Sequence, residues 1–420
     1  MTQMIVDVVI PVYNQVDYVR SCINSVLRSS CSTKFEIIVV DDASTDLRVK
    51  EFLRGLDRDG AIRLFTNEQN VGFTRTVNLA MKLHKDRDVL LLNSDTLVYG
   101  SWLDRIVKGA YSLDRIATVN PMTNSNGSHI SYYPYPYWDS TNEVGLEVDD
   151  DILNSLAAER NDGKYVQVHT TVGFCMFIKR ACLNDVGYFD YVNFPVAYGE
   201  ECDACYRARK AGWQHLIVGD VFVTHAEGKS FGEEKINLMN EMLEKFRALH
   251  PEVVSLDQRF RLRDPVSVLR AGLDLARVRR LLGSRKSIDI YVARDSTAVP
   301  LFNEDFYLIY LKSEKKLKLC ARNYKLFPNL ETYAVPIDIW KFNKAMRYLG
   351  VEIIYCESQS DCLMIEKDVS GLPIEVQLGP RLVIRATAAA AGRSCASVGT
   401  SNSGLRSRRS GLLPVPKPPS

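Results

Sequence analysis

Short apolar runs closed by polar clusters alternate with stretches of helical spacing along the first hundred residues. Residues 5–10 (IVDVVI) form a β-branched run closed by Pro11, and 35–40 (FEIIVV) a second ended by Asp41-Asp42. Residues 61–65 and 89–92 read as two further strands, the last running into Asn93-Ser94-Asp95. Between them, 17–28 carries Val19, Cys22, Ile23, Val26 and Leu27 at helical spacing. Ser44 or Thr45 can cap a helix reaching about residue 56, and 72–84 reads as a third. Strand and helix in this alternation predict a mostly parallel sheet with helices on both faces.

In such open sheets ligands bind outside the carboxyl ends of the strands. Those ends carry Tyr13-Asn14, Asp41-Asp42 and Asn93-Ser94-Asp95. Each cluster alone is ordinary turn chemistry; three at one edge predict a site.

Farther along, 132–138 (YYPYPYW) reads as an aromatic loop, suited to stacking on sugar rings or to pinning itself. Residues 166–180 read as a strand, 200–212 as an acid-headed helix, 216–225 as a strand and 231–250 as an amphipathic helix. The 251–286 linker includes a basic amphipathic helix over 259–286. It fits either the surface of an anionic membrane or packing on the domain with a solvated basic face. Residues 287–378 read as a small α+β domain with strands at 288–293, 306–311, 351–355 and 374–377 and a helix over 339–349. From 379 onward Ala, Ser, Gly, Arg and Pro predict a disordered tail.

Composition changes this picture little. The 420 residues are 46% hydrophobic and 25% charged, with a net charge of +2, which excludes collagen-like, coiled-coil and wholly disordered chains. Residues 381–420 carry seven basic residues and no acid, so residues 1–380 stand at −5 and nucleic acid is not an expected partner. No run approaches the ~20 apolar residues that span a bilayer, and Asp7 and Pro11 interrupt anything like a signal sequence. Ten cysteines without framework spacing suit a reducing compartment. The expected location is the cytoplasm, with the inner face of the membrane as a variant.

The runs VVIPVYN (8–14), VVDDASTD (39–46), NEQNVGFTRTVNLAMK (67–82) and LLLNSDTLV (90–98) resemble, in order, the motifs of family 2 glycosyltransferases. So do GFCMFIKRACLNDVGYFD (173–190) and YGEECDACYRARKAGW (198–213), in the style of the rhamnosyltransferase-like, O-antigen-type bacterial branch. The resemblance covers roughly 5–230 and implies a GT-A fold over 1–250, Rossmann-like with an acceptor-binding half. It implies inverting transfer of a sugar from a UDP-, GDP- or dTDP-linked donor to a hydroxyl of a glycan or lipid-linked acceptor.

By the same resemblance, Asp41 contacts the base, while Pro11, Tyr13, Asn14 and Gly72 line the nucleotide. The metal motif reads Asn93-Ser94-Asp95, so Asp95 is the expected ligand of Mg²⁺ or Mn²⁺, with His225 beside it and Asn93 a weaker carbonyl ligand or a ribose contact. Glu201 stands where the family places its catalytic base, with Asp203 in reserve. Three rival readings accompany this one. The Asn93 and Glu201 departures fit a non-catalytic sugar-nucleotide-binding or scaffold protein. Cys202 and Cys205 with His215 and His225 could be drawn as a zinc site, against loose spacing. Residues 288–378 could be the stub of a second transferase domain.

Overall fold

The computed structural model describes residues 4–124, 130–132, 148–226, 233–283, 290–293, 306–311, 316–321, 346–351, 353–356, 358–368 and 374–378. Strands β1 (Ile5–Val12), β2 (Lys34–Asp41), β3 (Arg63–Thr66) and β4 (Asp88–Leu92) pair in parallel in the order β3-β2-β1-β4. Helices α1 (Val16–Leu27), α2 (Leu47–Arg58) and α3 (Phe73–Met81) connect them. Successive β1 residues face opposite ways. Val8 and Ile10 join one core and Val9 the other, which is why the run beyond Asp7 is apolar rather than alternating. The start of α2 departs from expectation. Asp46 caps it, accepting Arg48 N–H at 2.9 Å, because Ser44 is engaged with Asn14.

The second half of the sheet mixes directions. It comprises β5 (Thr96–Leu97), β6 (Ile116–Thr123), β7 (Tyr165–Val168), β8 (Cys175–Ile178) and β9 (Gln214–His225). The order continues β4-β8-β6-β9-β5, with β7 also on β9. The strand expected over 166–180 is therefore two. β7 lies antiparallel to β9, while β8 crosses to the centre between β4 and β6, and residues 169–174 make the passage. Helices α4 (Trp102–Ala110) and α5 (Asp150–Asn161) pack with α1 and α2 on one face; α3, α6 (Arg180–Val186) and α7 (Glu200–Lys210) cover the other. Helices α8 (Glu233–Leu249), α9 (Val253–Arg263) and α10 (Ser267–Leu282) follow.

Helix α10 corrects the surface reading of 259–286. Leu269, Leu273 and Ala276 belong to the main core, while Leu275, Val278 and Leu282 belong to a second one. Its polar side is buried as well. Arg270 pairs with Asp264, and Arg277 meets Asp274 and the Tyr132 hydroxyl. The helix joins two cores and presents no apolar stripe for a bilayer. Tyr132 is likewise fully buried rather than set for ring stacking, and 133–138 lie outside the described residues.

The second core belongs to a five-stranded sheet. Strands β10 (Ile290–Ala293), β11 (Phe306–Leu311), β12 (Lys316–Ala321), β13 (Ile353–Cys356) and β14 (Glu375–Leu378) stand in the order β12-β11-β10-β13-β14. Among the described strands only the β11–β12 pair is antiparallel. Strand β12 and helix α11 (Gln359–Asp368) were not anticipated. Of the expected helix over 339–349, residues 346–349 are described and helical; the 379–420 tail lies outside the described residues. Among the described residues no helix is long and apolar enough to cross a membrane.

Candidate active site

Backbone strain marks the carboxyl edge of the parallel strands. Five described non-glycine residues have positive φ, and four of them border this edge: Asn14, Gln15, Ala43 and Tyr198. Such conformations cost of order 1–3 kcal/mol each and persist where surrounding bonds over-determine them. Asn14 shows how. Its N–H donates to Ser44 Oγ at 2.8 Å, and its Oδ1 accepts the N–H groups of Thr45 and Asp46 at 2.9 and 3.0 Å. Ser44 N–H in turn donates to Asp41 Oδ1 at 2.9 Å, fixing a carboxylate only 2% exposed. Pro11 is no strand stop, since β1 runs on to Val12. The β4 ladder has ended at Val9, so a residue without an N–H is tolerated there. Tyr13, 48% exposed, stands free at the end of β1.

Asp42 is committed to the fold. Its Oδ1 accepts from Asn67 Nδ2 and Val71 N–H, and its Oδ2 from Gly72 N–H. At φ +82°, Gly72 leaves room for neighbouring backbone. A Cβ there would lie 3.0–3.1 Å from Pro195 and Val196 backbone atoms. Its glycine requirement follows from the approach of the 195–196 segment.

The chain leaving β4 is stitched to β8 and β9. Asn93 N–H donates to the Phe174 carbonyl at 2.7 Å, and Asp95 C=O accepts Ala226 N–H at 3.0 Å. Thr96 pairs in register with His225. That pairing holds His225 Nε2 3.2 Å from Asp95 Oδ1, the imidazole stacked on Phe174 with centroids 5.1 Å apart. His225 N–H donates to Asn124 Oδ1 at 2.7 Å. Two ligand atoms at right angles on an octahedral ion, each about 2.1 Å away, stand about 3 Å apart. The Asp95–His225 geometry fits that requirement, with the Asp95 carboxylate 30% exposed for further ligands.

Another acidic group is excluded as a cation site by its own contacts. Asp7, Glu36 and His84 cluster at the opposite edge of the sheet, but Arg87 Nη1 lies 3.2 Å from Asp7 and 2.5 Å from Glu36. The zinc reading also fails. His215 and His225 stand at opposite ends of one strand, about seven rises or roughly 23 Å apart once the bulge between Val218 and Phe222 is allowed for. Both His215 nitrogens are engaged, by Thr118 and by the Cys205 carbonyl.

Helix α7 brings the third acidic cluster. Tyr198 and Gly199 turn into it with φ of 69° and 99°, and a Cβ at Gly199 would strike the Phe194 ring at 2.6 Å. Glu200 is 3% exposed and hydrogen-bonds the Glu201 carboxyl; each keeps a buried Oε2 with no partner. Burial first, then the adjacent Glu201 charge, pushes Glu200 well above the carboxylate range; burial also raises Glu201. The pair therefore holds a proton more readily than two exposed glutamates would.

Asp203 points elsewhere. Its Oδ2 accepts Arg207 Nε–H at 2.7 Å, and its Oδ1 lies 2.9 Å from His250 Nε2. Arg207 also donates to the Val186 and Tyr188 carbonyls. With each oxygen held, Asp203 is unsuited to the reserve-base role and instead clamps α7 to the 186–188 turn and to α8. Asp203→Ala is expected to cost about 3 kcal/mol, since it strands the buried His250 and takes one acceptor from Arg207. Urea unfolding checks this, and a loss under about 1 kcal/mol would refute the clamp.

Contacts carry the three clusters to one edge. A Cβ on Gly173 would touch the Phe73 ring at 3.7 Å, at the start of α3. Phe174 reaches Asn93 and His225, and Gly72 reaches 195–196, just before α7. The sequence had not singled out Phe174 or Asn124, and had offered Ser44 only as a helix cap. None is an ionisable or obvious ligand type, and Phe174 was visible only as part of the GFCMFIKR run.

Residues 7–187 match the family model described as Glycosyl transferase family 2. An uncharacterized glycosyltransferase of Haemophilus influenzae is 26% identical over 115 residues, covering 27% of this chain and 35% of its own length. Glycosyltransferase GlyG of Streptococcus pneumoniae is 24% identical over 131 residues, 31% of this chain and 43% of its own. The chain thus spans under half the length of these relatives. Among solved structures, a mannosyltransferase from Pyrobaculum calidifontis in complex with GDP-Man and Mn²⁺ aligns at a TM-score of 0.44 and 16% identity. It covers 67% of this chain and 76% of its own. Residues 7–187, whose ordered motifs supply the Asp41 and Asp95 ends of this sheet edge, are thus similar to glycosyl transferase family 2.

Proposed function

We propose that the protein transfers a sugar from a nucleotide-diphosphate donor to a hydroxyl of a glycan or lipid-linked acceptor, with inversion, using residues 1–250 as its catalytic domain. The observation that carries this reading is the Asp95–His225 pair, held by strand register at the same sheet edge as the fixed Asp41 carboxylate. Asp41 accepts from the base, and Tyr13 and the Asn14 turn flank the nucleotide. Asp95 and His225 would hold Mg²⁺ or Mn²⁺, whose chemistry when bound is to neutralise charge growing on the leaving diphosphate. Glu201 takes the proton of the acceptor hydroxyl as its oxygen attacks the anomeric carbon and the bond to diphosphate breaks. Burial favours the protonated form of Glu200, which would donate to Glu201 and keep one carboxylate oriented.

A thermal-shift screen of UDP-, GDP- and dTDP-sugars, with and without Mn²⁺, tests the donor half of the proposal. A ligand at one hundred times its Kd stabilises by about 2.7 kcal/mol, a shift of several degrees. One nucleotide class should raise the midpoint, and more so with Mn²⁺. Failure of every sugar nucleotide to move it would overturn the reading. A shift without any donor turnover would favour a non-catalytic binding protein, the reading that Asn93 in the metal motif suggests.

A further inference from the structure

We propose that the exposed face of α9 docks on an anionic membrane surface, bringing the catalytic edge to a lipid-linked acceptor. The solvent side of α9 comprises Val254, Ser255, Gln258, Arg259, Arg261, Leu262 and Arg263, with Asp257 and the N-cap Glu252 as the acids at its border. At 100° per residue, Leu262 lies at the centre of this arc, with Arg261 towards one rim and Arg259 and Arg263 towards the other. Leu262 is 87% exposed and Val254 46%, a large outlay of aliphatic surface for an 11-residue helix. Arginines bordering a central leucine suit a helix lying in the interface plane. The aliphatic side chains enter the headgroup boundary while the guanidinium groups meet lipid phosphates. An acidic protein would satisfy the arginines but would not call for the leucine between them.

The inner side of α9 is tied to α7, the helix that begins with Glu200 and Glu201. His169 Nε2 lies 2.5 Å from Asp257, and its ring meets Phe260 edge-on with centroids 5.1 Å apart. The next two residues, Thr170 and Thr171, hydrogen-bond the Cys202 and Cys205 thiols of α7. At the other end, His250, just before α9, bonds Asp203. A membrane under α9 would therefore lie beside the helix that bears Glu201. The acceptor assignment rests on the transferase reading, whereas surface binding does not.

The test is co-sedimentation of the full chain with vesicles of phosphatidylcholine, alone or mixed with phosphatidylglycerol. Binding to the mixed vesicles should exceed binding to the neutral ones by at least about tenfold and weaken with salt. The combined variant Arg259→Ser, Arg261→Ser, Arg263→Ser should lose that excess, and Leu262→Asp should reduce it, with melting temperature and sugar-nucleotide shifts unchanged. Equal binding to both vesicle types, undiminished binding by the triple variant, or binding to a soluble polyanion such as heparin without binding to vesicles would each overturn the proposal. Because vesicle binding is read without donor, its failure is distinct from failure of the transferase reading.

Discussion

Glu201→Gln is expected to bind sugar nucleotide as the wild type does and to lose transfer by about 10²–10⁴-fold, the range supplied by a positioned base. The amide keeps the shape and still pairs with Glu200, but it cannot take a proton. A large loss of donor affinity in the thermal-shift assay would instead make Glu201 a binding residue. The base works only when ionised. Burial raises its pKa, so kcat should fall on acidification at a pH above the ordinary glutamate value of about 4.3. The same shift acts on stability. A carboxyl with a raised native pKa favours the fold below its unfolded pKa, and that contribution is lost as pH rises through the native pKa. Both members of the pair are raised, so the chain should lose stability above the acid range. Glu200→Gln, which mimics the neutral acid, should remove part of that loss. Melting temperatures of the two proteins across pH provide the check, and parallel curves would refute it.

Asp95→Ala should abolish Mn²⁺-dependent transfer, a drop of about 10³-fold or more, while changing stability by less than about 1 kcal/mol. The contrast follows from its surroundings. The register that places residue 95 is made by backbone bonds to Phe174 and Ala226 and by the Thr96–His225 pairing, none of which needs the carboxylate. The donor-induced thermal shift of the variant should no longer respond to Mn²⁺. Retained, metal-responsive turnover would remove Asp95 from the cation site. His225→Ala should be less clean, because its ring also stacks on Phe174 at the strand end.

Much of the amino-terminal half was legible because its signals are local. The runs at 5–10, 35–40 and 89–92 are β-branched, apolar and bounded by turn residues, so length and composition define strands without reference to partners. The polar residues following them then had to share one edge, since parallel strands align their carboxyl ends. Chemistry that depends on distant partners was not legible. Asp41 and Asp42 look alike in sequence. One is fixed by a single N–H three residues away, whereas the other is taken up by Asn67, Val71 and Gly72, 25 to 30 residues on. Glu201 and Asp203 are two positions apart on one helix, and only the contacts with Arg207 and His250 show that the second is a clamp.

The same division applies to the helices near the carboxyl-terminal end. Their basic, amphipathic character is written in the residues, but a hydrophobic stripe does not say what covers it. In α10 two cores cover it and Arg270 and Arg277 are buried; in α9 the outer arc is exposed among the described residues.

The sequence by itself determined the strand–helix order, the edge on which polar residues gather and the family motifs, because periodicity and chain direction act over a few residues. Tertiary structure alone decided which carboxylates remain free, why Gly72 must be glycine and which helix faces solvent, because each depends on atoms brought from far along the chain.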